Sequence, residues 1–336
     1  MMGFRTSRRS LLLGLALAPA VIGRARAAPM TLRLSSSLPD DPNFANGRVY
    51  YDNLIKQLAA GGVGNQIKVD FFPNNQLGQE IDVVNSVSLG VIDLMVTGTS
   101  IWANVVPLIG LMDLGYLFES FPQQTKALDA GAAKPLEAAL QTGANTHIIG
   151  WAYNFGARSV LCKSPIHTPG DLGGKRIRTL PNKIITECLR LMGAAATPLA
   201  FGEIYTALQA GVLDGLEHDP PTILASKFYE TTKNYSLTEH NFSALGVFCS
   251  SLTLNRMAAP LREQFLAAAA RAAADTRVRG LEAQKEAMDA LKQKGVTVIT
   301  VDKDLFRERV APQTEAFMAT HPEAKPIIDI IRGTKA

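Results

Sequence analysis

The sequence predicts an α/β protein built as two lobes joined by one long helix. Three observations carry this. Short strand-like runs switch repeatedly with segments of helical spacing, the same pattern recurs in a second half, and an Ala-rich helical stretch near the C-terminus is too long for either half alone. At 336 residues, 47% hydrophobic and 19% charged, the chain has the length for about two domains and not the composition of a disordered or fibrous protein.

The elements follow in order. Residues 1–27 read as an export signal: a basic start (Arg5, Arg8, Arg9), an apolar run from Leu11 to Ile22, and the small-x-small site Ala25-Arg26-Ala27. The apolar run is short of the roughly 20 residues that cross a bilayer. Ser7-Arg8-Arg9-Ser10-Leu11-Leu12 matches the twin-arginine pattern, with an ordinary Sec signal as the alternative. The formal net charge of +4 comes from this segment. Without it, 29 Lys and Arg face 30 Asp and Glu, a balance that gathers neither nucleic acid nor anionic membrane.

Thr31 to Ser35 alternates like a strand, and Phe44 to Ala60 has helical spacing that stops at Gly61-Gly62. Ile67, Val69 and Phe71 give a second strand, Glu80 to Leu89 a helix stopped by Gly90, and Val91 to Val96 an apolar third strand. This β-α-β-α-β run starts an open parallel sheet. Its ligand-binding loops would be those at the strands' carboxyl ends: Ser35–Pro39, Pro73–Gln79 and Thr97–Asn104. The second unit has strands at Ile148–Ala152, Ser159–Cys162, Arg176–Thr179 and Ala196–Leu199, and helices at Lys183–Met192 and Glu203–Ala210. The last helix runs from about Pro260 to Lys294, and at 1.5 Å per residue it is about 50 Å long, a spine for two lobes. Cys162, Cys188 and Cys249 are odd in number and far apart, which reads as buried, inert thiols.

Phosphate-cradle, nucleophile-elbow and metal-spacing motifs are absent from the sequence. Of the five histidines only Glu217-His218-Asp219 suggests a cluster. Consecutive residues point in different directions, so ligand contact, turn formation and metal or acid–base work all stay open there. Arginine beside rigid turns stands out more. Arg158 follows Asn154-Phe155-Gly156, and Arg178 shares a strand face with Arg176, just before Pro181, where its fork can meet a carboxylate.

Phe72-Pro73-Asn74-Asn75-Gln76-Leu77-Gly78, Leu89-Gly90-Val91-Ile92-Asp93, Gly174-Lys175-Arg176-Ile177-Arg178, the block from Pro198 to Gly215, and Lys227-Phe228-Tyr229-Glu230 form one ordered series. Together they resemble the DctP-type solute-binding proteins of TRAP (tripartite ATP-independent periplasmic) transporters. The resemblance implies the two-lobed periplasmic binding protein fold, with a hinge and a lobe-spanning helix, closing over a small organic acid. It implies Arg178 as the residue that pairs with the ligand carboxylate and Arg158 as a second arginine lining the cleft. Ser37, Glu80, Thr97 and Phe201 fall on pocket positions of sialic-acid-binding relatives, and His218 stands where relatives often carry Asn or Trp. Gly98 and Ile101 replace an acidic residue and an arginine of the sialate binders, which puts a sialic acid ligand in doubt. Some relatives hold an oxo-acid through a cation near the segment of Glu217, so that residue keeps a weak metal reading.

The resulting expectation is a periplasmic, monomeric solute receptor that needs no cofactor and serves a TRAP permease, with no nucleic acid partner. Lobe I would comprise residues 28–154 plus about 244–283, and lobe II 155–243 plus about 284–336. The competing readings are a periplasmic enzyme using Glu217 and His218 as an acid–base pair, and a ligand sensor for a signalling partner.

Overall fold

The computed structural model describes residues 28–152 and 156–335, so the export-signal reading and the residues Asn154 and Phe155 lie outside the described part. The strands are β1 (Met30–Ser35), β2 (Ile67–Phe72), β3 (Leu94–Gly98), β4 (Thr146–Trp151), β5 (Arg158–Cys162), β6 (Arg176–Thr179), β7 (Ala195–Pro198), β8 (Gly215–His218), β9 (Asn234–Asn241), β10 (Leu245–Ser250) and β11 (Thr297–Ile299). They form two sheets, ordered β2-β1-β3-β10-β4 and β11-β9-β5-β8-β6-β7. The chain is α/β in both lobes, as its patterning predicts.

The first sheet corrects one expectation. β1, β2 and β3 are parallel, but β10 enters antiparallel between β3 and β4, so the sheet is mixed. β10 returns from the other lobe, and local periodicity cannot report a pairing made across some 150 residues of chain. The third strand also begins three residues later than its apolar run suggests. Gly90, at φ +72°, closes the preceding turn and leaves Val91 54% exposed. The Thr97–Asn104 segment is not simply a loop, since Thr99–Trp102 is a short helix.

The long helix spans Ala259–Gln293, 35 residues. Its first half packs Phe265, Ala268, Ala269, Ala272 and Ala273 into the core of the first sheet with Leu32, Leu34, Tyr50 and Leu54. Its end places Leu291 in the core of the second sheet with Leu161, Ile204, Leu216 and Tyr235. Alanine is needed because the helix lies almost on β4: a Cβ added at Gly150 would sit 2.6 Å from that of Ala273. A further apolar cluster runs beneath both sheets, from Val83, Trp102 and Leu140 to Ile177, Leu189 and Ile331. The last helix, Lys325–Gly333, is part of this cluster, and Gln123 Nε2 donates to the carbonyl of Ile331. All three cysteines are buried and free, and burial pushes the thiols of Cys188 and Cys249 up. No helix among the described residues is long and apolar enough to cross a membrane.

Candidate functional site

Five strands, β1 and β3 of the first sheet and β6, β7 and β8 of the second, end at one place. The inner cavity there is lined by Ser37 after β1, Glu80, Gly98 at the end of β3, Leu180 after β6, Phe201 after β7 and His218 at the end of β8. Arg158, Ser100 and Ser243 complete its walls. This is where open α/β sheets bind ligands, outside the carboxyl ends of their strands.

Arg178 is the group the fold goes furthest to accommodate. Its neighbour Arg176, two residues earlier, is exposed and bound to Asp214 at 2.9 Å. Arg178 has no accessible surface at all. Its Nε donates to the carbonyl of Leu199 at 2.9 Å, while Nη1 and Nη2 are buried with no hydrogen-bond partner among the described residues. Burial pulls the guanidinium down to about 10, and the like charge of Arg158 adds to this against the pull of Glu217 and Glu80. A buried cation with two unsatisfied donors costs stability unless a partner arrives.

Arg158, by contrast, is already paired. Antiparallel pairing of β5 with β8 sets Val160 opposite Glu217, and the Arg158 side chain returns to Glu217 from the strand's start. Its Nε lies 2.5 Å from Oε2 and its Nη2 2.7 Å from Oε1, and Nη2 also donates to the Glu217 carbonyl at 3.0 Å. His240 Nε2 stands 3.5 Å from the same carboxylate. Burial alone would push the Glu217 carboxyl up, but the Arg158 charge, the nearby His240 ring and the hydrogen bonds from Arg158 outweigh it and hold it at about 2. A carboxylate so committed cannot serve as a general base. Among the described residues there is also no cluster of three His, Cys, Asp or Glu placed for a metal ion.

The three residues Glu217, His218 and Asp219 do face different ways. His218 lines the cavity, with Nδ1 2.5 Å from Asp219 Oδ2, and burial followed by the charges of Arg158 and Arg178 keeps the ring well below its usual pKa, hence neutral. Asp219 Oδ1 accepts from the Thr222 amide at 3.0 Å and caps the helix Pro220–Ala225. Glu80, on the cavity wall, accepts from the hydroxyl of Thr97 at 2.6 Å, while Thr97 itself is buried and does not line the cavity. Phe201 meets His218 edge-on, ring centres 5.9 Å apart.

One polar group was invisible in the sequence. Asp113, fully buried, accepts from the cavity-lining Ser100 hydroxyl at 2.5 Å, and Asn182 Nδ2 donates to the Ser100 carbonyl at 2.5 Å. The same Asn182 caps the helix Lys183–Met192 through Oδ1, so this network ties the two sheets together. Only its N-cap role had a sequence signal. Burial pushes both Asp113 and Asp219 up to about 7, against the hydrogen bonds and the Arg158 charge that pull the other way. Folded protein therefore holds more protons than unfolded chain from the ordinary value of 3.8 up to about 7, and stability from these groups is lost as pH rises through that window. His218, held neutral, contributes in the opposite sense below about pH 6.5, so the test is differential: between about pH 5 and pH 8, Asp113→Asn/Asp219→Asn is expected to lose less melting temperature, or gain more, than wild type. Identical pH profiles for wild type and the double variant would contradict the assignment.

Space and charge are divided. The inner cavity holds about 20 Å³, room for about one water, so a solute enters only if the lobes part. Beyond Ser37 and Phe201, which line both, an outer groove of about 340 Å³ opens between the lobes.

Two α/β lobes, crossed by a spanning helix and meeting at a small polar cavity outside the ends of their strands, define a two-lobed solute-binding protein. Residues 50–321 match the DctP model, bacterial extracellular solute-binding protein, family 7, and the chain belongs to that family. It is similar to the 2,3-diketo-L-gulonate-binding periplasmic protein YiaO of Escherichia coli K12, 27% identical over 84% of this chain and 85% of that protein. Among solved structures it resembles a TRAP periplasmic solute-binding protein of Xanthobacter autotrophicus Py2 with bound β-D-galacturonate, at a TM-score of 0.85 and 28% identity over 90% of this chain and 100% of that one. A Polaromonas sp. JS666 counterpart bound to D-erythronate gives a TM-score of 0.85 and 30% identity over 91% and 99%. These relatives are receptors of transporters and not enzymes.

Proposed function

We propose that this chain is the exported receptor of a TRAP transporter and that it takes a hydroxylated monocarboxylic acid, with the ligand carboxylate on Arg178. The observation that carries this is the pair of buried, unpartnered Arg178 nitrogens, Nη1 and Nη2, a fork that matches a carboxylate. Glu80 supports the finer reading. Its carboxylate, held by Thr97 at the cavity wall, accepts from ligand hydroxyls and repels a second ligand carboxylate. The acids named for the three relatives above are all hydroxylated or keto monocarboxylates. Arg158 supports Arg178 from its pair with Glu217, and Ser37, Phe201 and His218 complete the wall.

On this reading residues 1–27 direct export to the periplasm, where the chain works as a monomer. Ligand meets one lobe, the lobes close, and the closed form docks on membrane subunits driven by an ion gradient. No bond is made or broken. A thermal-shift screen tests the ligand class. Galacturonate and erythronate are expected to stabilise the protein, by about 2.7 kcal/mol at 100 times the dissociation constant, while succinate and malate do not. Equal stabilisation by the dicarboxylates would remove Glu80 as the selecting residue.

A further inference from the structure

The inner cavity carries the charge, and the outer groove carries the room. We propose that the groove outside Phe201 is a second ligand subsite, shaped for the second ring of an acidic disaccharide whose first ring presents its carboxylate to Arg178. This rests on the function proposed above and extends it to a larger substrate class.

The groove adjoins the inner cavity, with Ser37 and Phe201 standing between them and lining both. Its walls come from opposite lobes: Asn74 and Asn75 from the turn after β2, Ser226 and Lys227 from the segment after the helix Pro220–Ala225. The Ser226 hydroxyl is buried with no hydrogen-bond partner among the described residues. Asn74, Asn75 and Lys227 each hold left-handed backbone, at φ 54°, 56° and 57°, which asparagine adopts readily in turns and lysine rarely. Gly202 lets the walls approach, because a Cβ there would lie 3.3 Å from Asn75 Nδ2.

The chemistry suits a uronate ring. Paired amides and a hydroxyl match vicinal sugar hydroxyls, Phe201 and Phe228 give the ring an apolar wall, and the Lys227 ammonium offers a counter-charge to the second carboxylate. Tyr205, also on the groove, donates its hydroxyl to Glu230 at 2.7 Å.

Calorimetric titration of the mature chain with D-galacturonate and with the disaccharide of two galacturonates decides it. The disaccharide is expected to bind at least about tenfold tighter, and Lys227→Gln to cost the disaccharide about tenfold and galacturonate little. If galacturonate binds and the disaccharide binds no tighter, the second subsite is wrong while the Arg178 reading stands. Equal weakening of both acids by Lys227→Gln also overturns the subsite. If neither acid binds, the Arg178 reading falls and the subsite with it.

Discussion

Arg178→Met is expected to make the ligand-free protein more stable and, in the same molecule, to abolish acid binding. The wild-type guanidinium is fully buried, and only its Nε is satisfied. Replacing a desolvated, poorly paired charge with an apolar side chain of similar length often stabilises, by about 1–4 kcal/mol. Binding goes the other way. A ligand carboxylate in the closed cleft loses its fork-shaped partner, at a cost of about 3–5 kcal/mol, or roughly two to four powers of ten in affinity. Arg178→Lys keeps the charge without the fork and recovers part of the loss. Arg176→Ala is the control, since that side chain is exposed and spent on Asp214 and the Gly211 carbonyl. Urea melts and calorimetric titrations measure both halves. A folded Arg178→Met that binds within about threefold of wild type would move the clamp to Arg158.

Glu217→Gln has the second large expected effect, and it falls on stability. Removing this charge strands the Arg158 guanidinium beside Arg178 in the same low-dielectric space, and breaking a buried pair from one side costs about 3–5 kcal/mol. The pH profile carries the same signature. The folded value, about 2, lies below the ordinary 4.5, so the stabilisation is fully present above about pH 4.5 and is lost as pH falls toward 2. Glu217→Gln should lose that acid limb, and Arg158→Met/Glu217→Leu should recover much of the stability by removing both charges. An unfolding free energy within about 1 kcal/mol of wild type for Glu217→Gln would contradict a structural role for the pair.

Much of the framework was legible because it is local. Arg176–Thr179 and Lys183–Met192 lie where alternation and helical spacing put them, and the long helix starts and ends within a residue of its Ala-rich stretch. What escaped is what depends on distant chain. β10 is a buried apolar run whose partners β3 and β4 are about 100 residues or more away, and Asp113 meets Asn182 across 69. The site divides in the same way. Arg178 stood out through its strand end and the family resemblance, whereas the use of Glu217 to hold Arg158 became visible only when β5 and β8 were side by side. His218 and Asp219 differ in role because alternation sends one into the cavity and leaves the other to cap a helix.

The most direct test of the account is the structure of the complex with a hydroxylated monocarboxylic acid such as D-galacturonate. The account predicts both ligand carboxylate oxygens within about 2.7–2.9 Å of Arg178 Nη1 and Nη2, with the Arg158–Glu217 pair intact beside them. A ligand carboxylate held by Arg158 or Lys227, with Arg178 Nη1 and Nη2 still unpartnered, would contradict it.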